Sequence, residues 1–323
     1  MSVWVVKLIG AQVDRAGGGG ELTHPLNHIP HHDFLHTIRA SLTTDSDTDT
    51  QFSPYTDITI DSAFYSQPDL ITKFKTSDKS LFLNLNVQSL NSKFERLKSF
   101  ILNLTNNGLV VDIIAMQETW TIRYPNLLSI PGFQTLIYTN RNKGRGGGVG
   151  FYIRTGLNYK IVTDLSPFHD KTLETMTLDI SYTSDNHTKH FLLFLVTSLY
   201  RSPSCQDMDR FSDKLDNLLS DLSNRNLDSY IFTDSNLNLH NIDSDQHVKN
   251  YVGTLTNSGF FITNFKSTRI HNGTFSHIDH IITNTKLETI TSGTIAEEIS
   301  DHLITFLQPT LKKTKTRPAS LKK

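Results

Sequence analysis

Asp112-Ile113-Ile114-Ala115-Met116-Gln117-Glu118-Thr119-Trp120 is the stretch on which the fold turns. From Val110 to Met116 the chain is almost wholly apolar, as a strand covered on both faces should be. Upstream, Leu81, Leu83 and Leu85 alternate ahead of Asn86, so a half-buried strand is expected to end at that polar residue. Phe94, Leu97, Ile101 and Leu104 then keep the spacing of one helix face. Downstream, strand-like runs recur at 133–138, 149–153, 159–162, 173–180 and 191–199. A helix fits 209–222, with Phe211, Leu215, Leu218, Leu219 and Leu222 on one side, and another fits 248–255. A strand over 230–232 leads to Asp234, and strands at 278–282, 290–295 and 303–307 close the pattern. Many strands with few helices predict an α/β domain of two packed sheets with helices outside, a pattern that other α/β folds share. Asn86, Glu118, Asp234 and Asp301 all fall at or just beyond an expected strand end, where loops present functional groups on a rigid scaffold.

The 323 residues suffice for one large α/β domain or two small ones. Cys205 is the single cysteine, which excludes an internal disulfide and a cysteine-based zinc site and fits a reducing compartment. The apolar start, Val3-Trp4-Val5-Val6-Lys7-Leu8-Ile9, is too short to cross a bilayer and is interrupted by Lys7. No later apolar run is long enough, so a soluble chain with no membrane partner is expected. A formal net charge of −1 gives no global attraction to nucleic acid, so any such contact must be local.

Residues 1–79 do not read as a domain. The glycine run at 17–20 and the Ser, Thr and Asp tract at 41–50 bury too little apolar surface to offset the cost of ordering. This segment is expected to be largely disordered or loosely packed, with Tyr55, Ile58, Ile60, Phe64, Tyr65 and Leu70 resting on the domain surface. Its histidines at 24, 28, 31, 32 and 36 fit a polar linker better than a metal site. The domain itself is expected over 80–309. A basic tail follows at 310–323, and Lys312 to Lys323 holds six basic residues and no acid. A solvated linker and a phosphate-contacting arm both fit it.

Five polar segments sit against apolar runs: Leu85-Asn86-Val87-Gln88-Ser89-Leu90, Met116-Gln117-Glu118-Thr119-Trp120, Thr233-Asp234-Ser235-Asn236, Ser276-His277-Ile278-Asp279-His280-Ile281 and Ser300-Asp301-His302. Each alone is an ordinary turn or cap. Together they offer carboxylates to hold a divalent cation and imidazole to meet a phosphate, the groups that phosphodiester hydrolysis needs. Glu118 ends a buried strand, where a carboxylate is costly without a partner, and Mg²⁺ is one such partner. Asp301 is the natural second ligand. Asp279 is placed to accept the second ring N–H of His302, fixing its tautomer and orientation.

The order of these segments resembles the endonuclease/exonuclease/phosphatase superfamily. The nearer likeness is to the apurinic endonuclease-like domains of LINE-type retrotransposons. It rests on Asn86-Val87-Gln88-Ser89-Leu90 before an amphipathic helix, the 112–120 stretch, Ile130-Pro131-Gly132-Phe133, and Gly146-Gly147-Gly148-Val149-Gly150-Phe151-Tyr152-Ile153. The likeness runs from about Leu81 to Leu307. It implies a four-layer α/β/β/α sandwich of two packed, mostly antiparallel sheets with outer helices, and catalytic loops at one edge. It implies a Mg²⁺-dependent DNA endonuclease, with Mn²⁺ able to substitute, that leaves a 3′-hydroxyl and a 5′-phosphate. In LINE elements that hydroxyl primes reverse transcription, so retroelement RNA or a reverse transcriptase acting in trans is an expected partner, and the nucleus the expected location. No polymerase follows, as expected for an isolated or truncated copy of such an element.

The resemblance also assigns roles. Asn86 orients the metal-binding carboxylate and the phosphate. Glu118 and Asp301 hold the metal. Asp234 activates the attacking water, Asn236 holds phosphate oxygens, and His302 meets a non-bridging oxygen. Tyr200, at the head of a Tyr-Arg-x-Pro segment, offers its hydroxyl to phosphate, although an aromatic strand cap fits as well. Thr274 contacts phosphate or Asp279. Gln88 stands where some relatives carry an acid, which makes direct metal contact there doubtful, and His280 reads as a strand residue. Relatives show Gly-Asp-Phe-Asn or Gly-Asp-Leu-Asn where this chain has Thr233 and Ser235, so strained backbone and weakened activity are expected. Arg141, Lys143 and Arg145 precede the glycine triplet. DNA phosphate contacts and a solvated hairpin loop both fit them. No helix with a P-loop lysine follows those glycines, which excludes a nucleotide-binding loop. A phosphatase of the same superfamily and a non-catalytic DNA-binding relic are the rival readings.

Overall fold

The computed structural model describes residues 62–75, 79–141, 144, 146–183, 191–271, 273–286 and 290–311. The glycine run, the N-terminal histidines, Lys143, Arg145 and the tail from Lys312 lie outside the described residues.

Among the described residues sixteen strands and four α-helices occur in the order β1 (Ser62–Tyr65), α1 (Gln67–Phe74), β2 (Phe82–Asn86), α2 (Leu90–Asn106), β3 (Ile113–Gln117), β4 (Ile137–Thr139), β5 (Val149–Ile153), β6 (Asn158–Ile161), β7 (Phe168–His169), β8 (Leu173–Thr183), β9 (Phe191–Tyr200), α3 (Met208–Ser223), β10 (Asp228–Asp234), α4 (Gln246–Asn257), β11 (Phe261–Ile262), β12 (Arg269–His271), β13 (Thr274–Ser276), β14 (Asp279–Thr283), β15 (Ile290–Ile295) and β16 (Ile304–Pro309). Among the described residues one sheet runs β1-β15-β16-β2-β3-β5-β4, a second β11-β14-β10-β9-β8-β6 with β7 attached to β8, and β12 and β13 form a separate hairpin. Among them only the β1–β15, β2–β3 and β9–β10 pairs are parallel; the other pairs are antiparallel.

Three apolar layers hold four structural layers together. The first packs α1 and α2 on one sheet through Leu70, Leu90, Phe94, Leu97, Leu83 and Phe306. The second lies between the sheets, where Phe82, Phe151, Phe194, Val196, Phe232 and Ile281 meet. The third packs α3 and α4 on the other sheet through Phe211, Leu215, Leu218, Tyr251 and Leu255. Each such side chain contributes roughly 1.5–3 kcal/mol when fully buried. The four-layer sandwich expected from the sequence is therefore present. The helices begin where their caps say: Asp207 accepts from the Arg210 amide at 3.0 Å and Asp245 from the His247 amide at 2.8 Å.

The structure departs from expectation at three places. Ser62–Tyr65 is an edge strand of the first sheet, and α1 buries Leu70 and Phe74 in its core. The segment expected to lie loosely on the surface thus contributes sheet and core from Ser62 onward. Its sequence signal is short because one strand and two helical turns need few apolar residues when the acceptor surface already exists. Val110 stands 49% exposed and the third strand starts at Ile113, because Asp112 turns out to pair with Arg154 at 2.6 Å. The run at 133–138 yields only Ile137–Thr139 as strand, with Phe133 in an isolated bridge to Arg154.

Register is what assembles the site. Glu174 pairs with Tyr200 across β8 and β9, Tyr200 with Asp234 across β9 and β10, and Asp234 with Asp279 across β10 and β14. Four polar residues thus form one row over four neighbouring strands of the second sheet. On the facing sheet, Asn86 pairs with Gln117 at the parallel ends of β2 and β3. Gln117 donates to Ser198 at 3.0 Å and to the Phe232 carbonyl at 3.1 Å, bonding the two sheets just behind that row.

Candidate active site

Asn86 joins the two sheets. Its Nδ2 donates to Glu118 Oε1 at 2.8 Å and to Asp234 Oδ2 at 2.7 Å, while its Oδ1 accepts from the Gln88 amide at 3.1 Å. An amide oriented by a backbone donor has only one way to face two carboxylates, so both N–H groups are committed. Glu118 accepts from Trp120 Nε1 at 3.1 Å as well, so its hydrogen bonds come from neutral groups. Its backbone is left-handed, with φ 50, as are Gln88, Ser89 and Trp120. Such positions cost of order 1–3 kcal/mol each and persist only where the surroundings over-determine them. Here the two strand-end loops interlock: Ser89 donates to the Glu118 carbonyl at 2.9 Å and Leu90 to the Thr119 carbonyl at 3.1 Å. Behind them the glycines pack tightly. A Cβ at Gly148 (φ +86) would lie 2.7 Å from Thr119 Oγ1, and one at Gly147 would strike Arg141 and Glu174.

Asp234 is fully buried and accepts from Asn86 and, at 3.0 Å, from the Asn236 amide. Burial, followed by the charge of Asp279, pushes its carboxyl up to about 7, against the pull of His302 and Asn86. His302 is also buried and bonds Asp279 through Nδ1 at 2.9 and 3.0 Å. Burial opposes its charge, but Asp279 first, then Asp234 and Asp301, outweigh it and raise the imidazole to about 9. An imidazolium bonded through Nδ1 keeps its Nε2–H as a donor, so the pair is built to meet an anion. The backbone of Asp279 is fixed by Thr268 Oγ1, which accepts from its amide at 3.0 Å. Ser300 Oγ donates to the Asn86 carbonyl at 2.6 Å and accepts from the His302 amide at 3.1 Å, tying the last loop to the first.

The remaining expected residues divide. Tyr200 lies buried in the row beside Asp234; burial and the charges of Glu118 and Asp234 raise its phenol, which keeps it protonated at neutral pH. Asn236 adopts φ 50 and donates to the Arg201 carbonyl at 2.8 Å. Asp301 is ion-paired to Arg269 through Oδ2 at 2.8 Å, and its Oδ1 is buried without a hydrogen-bond partner, 3.9 Å from His302 Nε2. Two expectations are corrected. Thr274 is exposed on the β12–β13 hairpin and donates to the His271 carbonyl at 2.6 Å, because the segment leaves the site before it reaches Asp279; Thr268 does what was expected of it. Arg141 is almost buried, ion-paired to Glu174 and stacked 5.6 Å from the Tyr200 ring centre, so its charge is spent inside the protein and is not offered to a DNA phosphate.

Thr233 and Ser235 also differ from expectation. Thr233 lies in the regular ladder of β10, opposite His280 and Leu199, and is absent from the left-handed positions. No glycine is needed there. The cost falls on its hydroxyl, which is buried without a partner. Ser235 is satisfied instead: its Oγ donates to the Ile278 carbonyl at 3.2 Å, accepts from the Leu237 amide at 3.1 Å and lies 3.3 Å from His280 Nδ1. Tyr251 completes that group at 3.0 Å from the same nitrogen. Arg201 is the residue that sequence reading missed. Buried beneath the loop, its Nε donates to the Ser235 carbonyl at 2.6 Å and Nη2 to the Asn236 carbonyl at 3.0 Å. The signal was the second residue of the Tyr-Arg-x-Pro segment.

A divalent cation fits this donor set in two ways. Ligand atoms of Asp234, Asp279 and His302 lie within 4.8 Å of one another. In that set, Nδ1 of His302 already bonds Asp279. The other set is Glu118, whose hydrogen bonds come from Asn86 and Trp120, and Asp301, whose Oδ1 is buried without a hydrogen-bond partner. Among the described residues no helix is long and apolar enough to cross a membrane.

Comparison with known proteins agrees with this fold. The endonuclease domain of TRAS1, a telomere-specific non-LTR retrotransposon, superposes with a TM-score of 0.51 at 14% identity, over 73% of this chain and 100% of that one. TDP2 of D. rerio, complexed with a single-strand DNA product, gives 0.51 at 13% identity, over 72% and 98%. The mannosyl-6-phosphatase Bt3783 of Bacteroides thetaiotaomicron gives 0.51 at 14%, over 71% and 98%. At these identities the likeness is one of fold. No curated protein matches the sequence. A model of the endonuclease/exonuclease/phosphatase family matches residues 83–302, well over half of the chain, from the second strand to His302. The chain belongs to the endonuclease/exonuclease/phosphatase family.

Proposed function

We propose that this protein is a metal-dependent DNA endonuclease that nicks one strand and leaves a 3′-hydroxyl, as a LINE-type element requires. The observation that carries the reading is the single amide of Asn86 bonded to both Glu118 and Asp234, with the Asp279–His302 pair against them. This arrangement divides labour. Asp234, with its carboxyl near neutrality, accepts the proton of an attacking water at Oδ1 or Oδ2. His302 donates Nε2–H to a non-bridging phosphate oxygen as negative charge grows there. Asp279 holds that imidazole in its charged form and fixed orientation. Asn236, whose amide donates to Asp234 and whose carbonyl Arg201 clamps, keeps one Nδ2–H beyond its bond to the Arg201 carbonyl to steady the phosphate. Glu118 and Asp301 would hold a divalent cation, which would neutralise phosphate charge. The Asn86–Leu90 and Gly146–Ile153 segments, which carry the resemblance to LINE-type endonuclease domains, support DNA over a phosphomonoester.

Supercoiled plasmid, incubated with the protein in Mg²⁺ or Mn²⁺ and in EDTA, tests the reading, with a phosphomonoester assayed in parallel. Relaxed circles with metal and none in EDTA, bearing ends that a polymerase extends, are expected. Monoester hydrolysis without nicking would assign a phosphatase. Neither activity would assign a non-catalytic DNA-binding relic.

A further inference from the structure

Beside Glu118 the surface opens into a cleft of about 720 Å³ lined by Ser89, Asn91, Trp120, Thr121, Arg123 and Tyr124. Its size lies within the roughly 300–1,000 Å³ of small-ligand clefts. Trp120 forms the wall shared with the active site, since its Nε1 donates to Glu118 Oε2 at 3.1 Å. The other wall is unusual. Tyr124 is 69% exposed and Leu127, on the same 3₁₀ turn, is 75% exposed, while Arg123 is exposed beside them. Single exposed aromatics are common on protein surfaces. This one is held out by a braced loop. Ile122 is buried, its amide donates to Asn140 Oδ1 at 3.2 Å, and its carbonyl accepts from Asn140 Nδ2 at 3.3 Å. Asn91 Nδ2 fixes the Thr121 carbonyl at 2.9 Å, and Leu127 donates to the Tyr124 carbonyl at 3.1 Å. A loop so anchored, presenting a flat aromatic face and a guanidinium into a cleft walled by the tryptophan that bonds Glu118, has the makings of a stacking platform with a phosphate contact.

We infer that this cleft binds an unpaired nucleobase of a nucleic-acid strand running away from the scissile phosphate, with Tyr124 stacking on the base and Arg123 meeting the adjoining phosphate. The inference rests on the nuclease reading, because it names the substrate feature that site takes. A sugar phosphate has no aromatic face for Tyr124 to engage. Fully paired DNA hides its base faces, so the cleft selects a strand that is single, frayed or opened next to the cut.

The test uses the full chain carrying Asp234→Asn, so that the strand stays uncut, and a single-stranded oligodeoxynucleotide bearing 2-aminopurine, whose fluorescence falls on stacking. Quenching that saturates with protein is expected. Tyr124→Ala should weaken binding about tenfold and abolish the quench, the effect of losing one base–aromatic stack. Tyr124→Phe should retain both. Arg123→Gln should lower the slope of log affinity against log salt by about one, as loss of one phosphate contact does. Because both side chains are exposed, melting temperatures should not move. Equal quenching and affinity in the parent and in Tyr124→Ala would overturn the inference. Plasmid nicking by protein with Asp234 intact is read separately. Nicking without Tyr124-dependent quenching sinks the cleft and leaves the nuclease; quenching without nicking does the reverse.

Discussion

The two halves of the candidate site are held by different physics. On the Glu118 side, four left-handed residues and a glycine triplet make two strand-end loops interlock, and the carboxylate is placed by strain that its neighbours enforce. On the Asp234 side, the backbone is a regular ladder through Asp234 with a left-handed residue at Asn236, and the carboxylate is placed by strand register and the hydrogen bond from Asn86, while Arg201, Ser235 and His280 hold the loop that follows. Asn86 is the one side chain that belongs to both. The contrast teaches that a strained loop and a relaxed strand can deliver equally fixed carboxylates, but that they fail differently: the first to added bulk, the second to lost polar partners.

Asp234→Asn should have the largest effect. It keeps the shape and removes the base, so nicking should fall about 10²–10⁴-fold with the melting temperature nearly unchanged. Plasmid nicking beside a thermal melt checks this, and activity within a few-fold of the parent would remove Asp234 from the mechanism. Gly148→Ala attacks the strained side. A methyl at a left-handed backbone position, against Thr119 and the Thr139 carbonyl, should cost about 2–4 kcal/mol and raise the Mg²⁺ concentration needed for nicking. The same change at exposed Gly144 (φ +95), where a Cβ meets nothing, should carry only the backbone strain.

The polar side is tested through pH. Burial lowers His280 from 6.5 to about 4 and holds His277 well below its usual value. The unfolded chain therefore binds more protons than the folded one between those values. The stability these neutral histidines allow is present above pH 6.5 and is lost as pH falls through about 4. His280→Gln should cost about 1–3 kcal/mol at pH 7, because Tyr251 and Ser235 lose a partner, yet flatten the acid limb of stability against pH. Denaturant melts at several pH values measure both, and an unchanged acid slope would locate the sensitivity elsewhere. The smallest effect is a gain. Thr233→Val removes an orphaned buried hydroxyl without changing shape, and should stabilise by about 1 kcal/mol while nicking stays constant. A loss of activity in that variant would show that the hydroxyl has a partner in the working enzyme.

Much of this was legible beforehand for a plain reason. Strands buried on both faces, such as Ile113–Gln117, and helices with one apolar face, such as Met208–Ser223, announce themselves by period. Asn86, Glu118, Asp234, Asp279 and His302 were legible because polar residues at strand ends stand out against apolar runs. Arg201 was not, since a cation buried under a loop has the same sequence signature as one in solvent. Arg141 failed for the same reason in the opposite sense: three basic residues before a glycine triplet look like a surface patch, and only the pairing with Glu174, 33 residues away, takes one of them inside. Thr274 failed because it opens the second strand of a hairpin, paired with His271 and exposed, while Asp279 lies buried a whole strand further on, which spacing along the chain cannot reveal.

By itself, then, the sequence determined the α/β class, the elements of the core and the identities of the groups gathered at its edge, because hydrophobic period and polar interruption are local properties of a chain. Tertiary structure alone decided that Glu174, Tyr200, Asp234 and Asp279 share one row, that Asn86 faces two carboxylates, and that Thr233 strains nothing. Register, burial and the direction of a side chain arise only when distant segments meet, and electrostatic character follows from that meeting: the same carboxyl group sits near neutrality at Asp234 because it is buried beside Asp279.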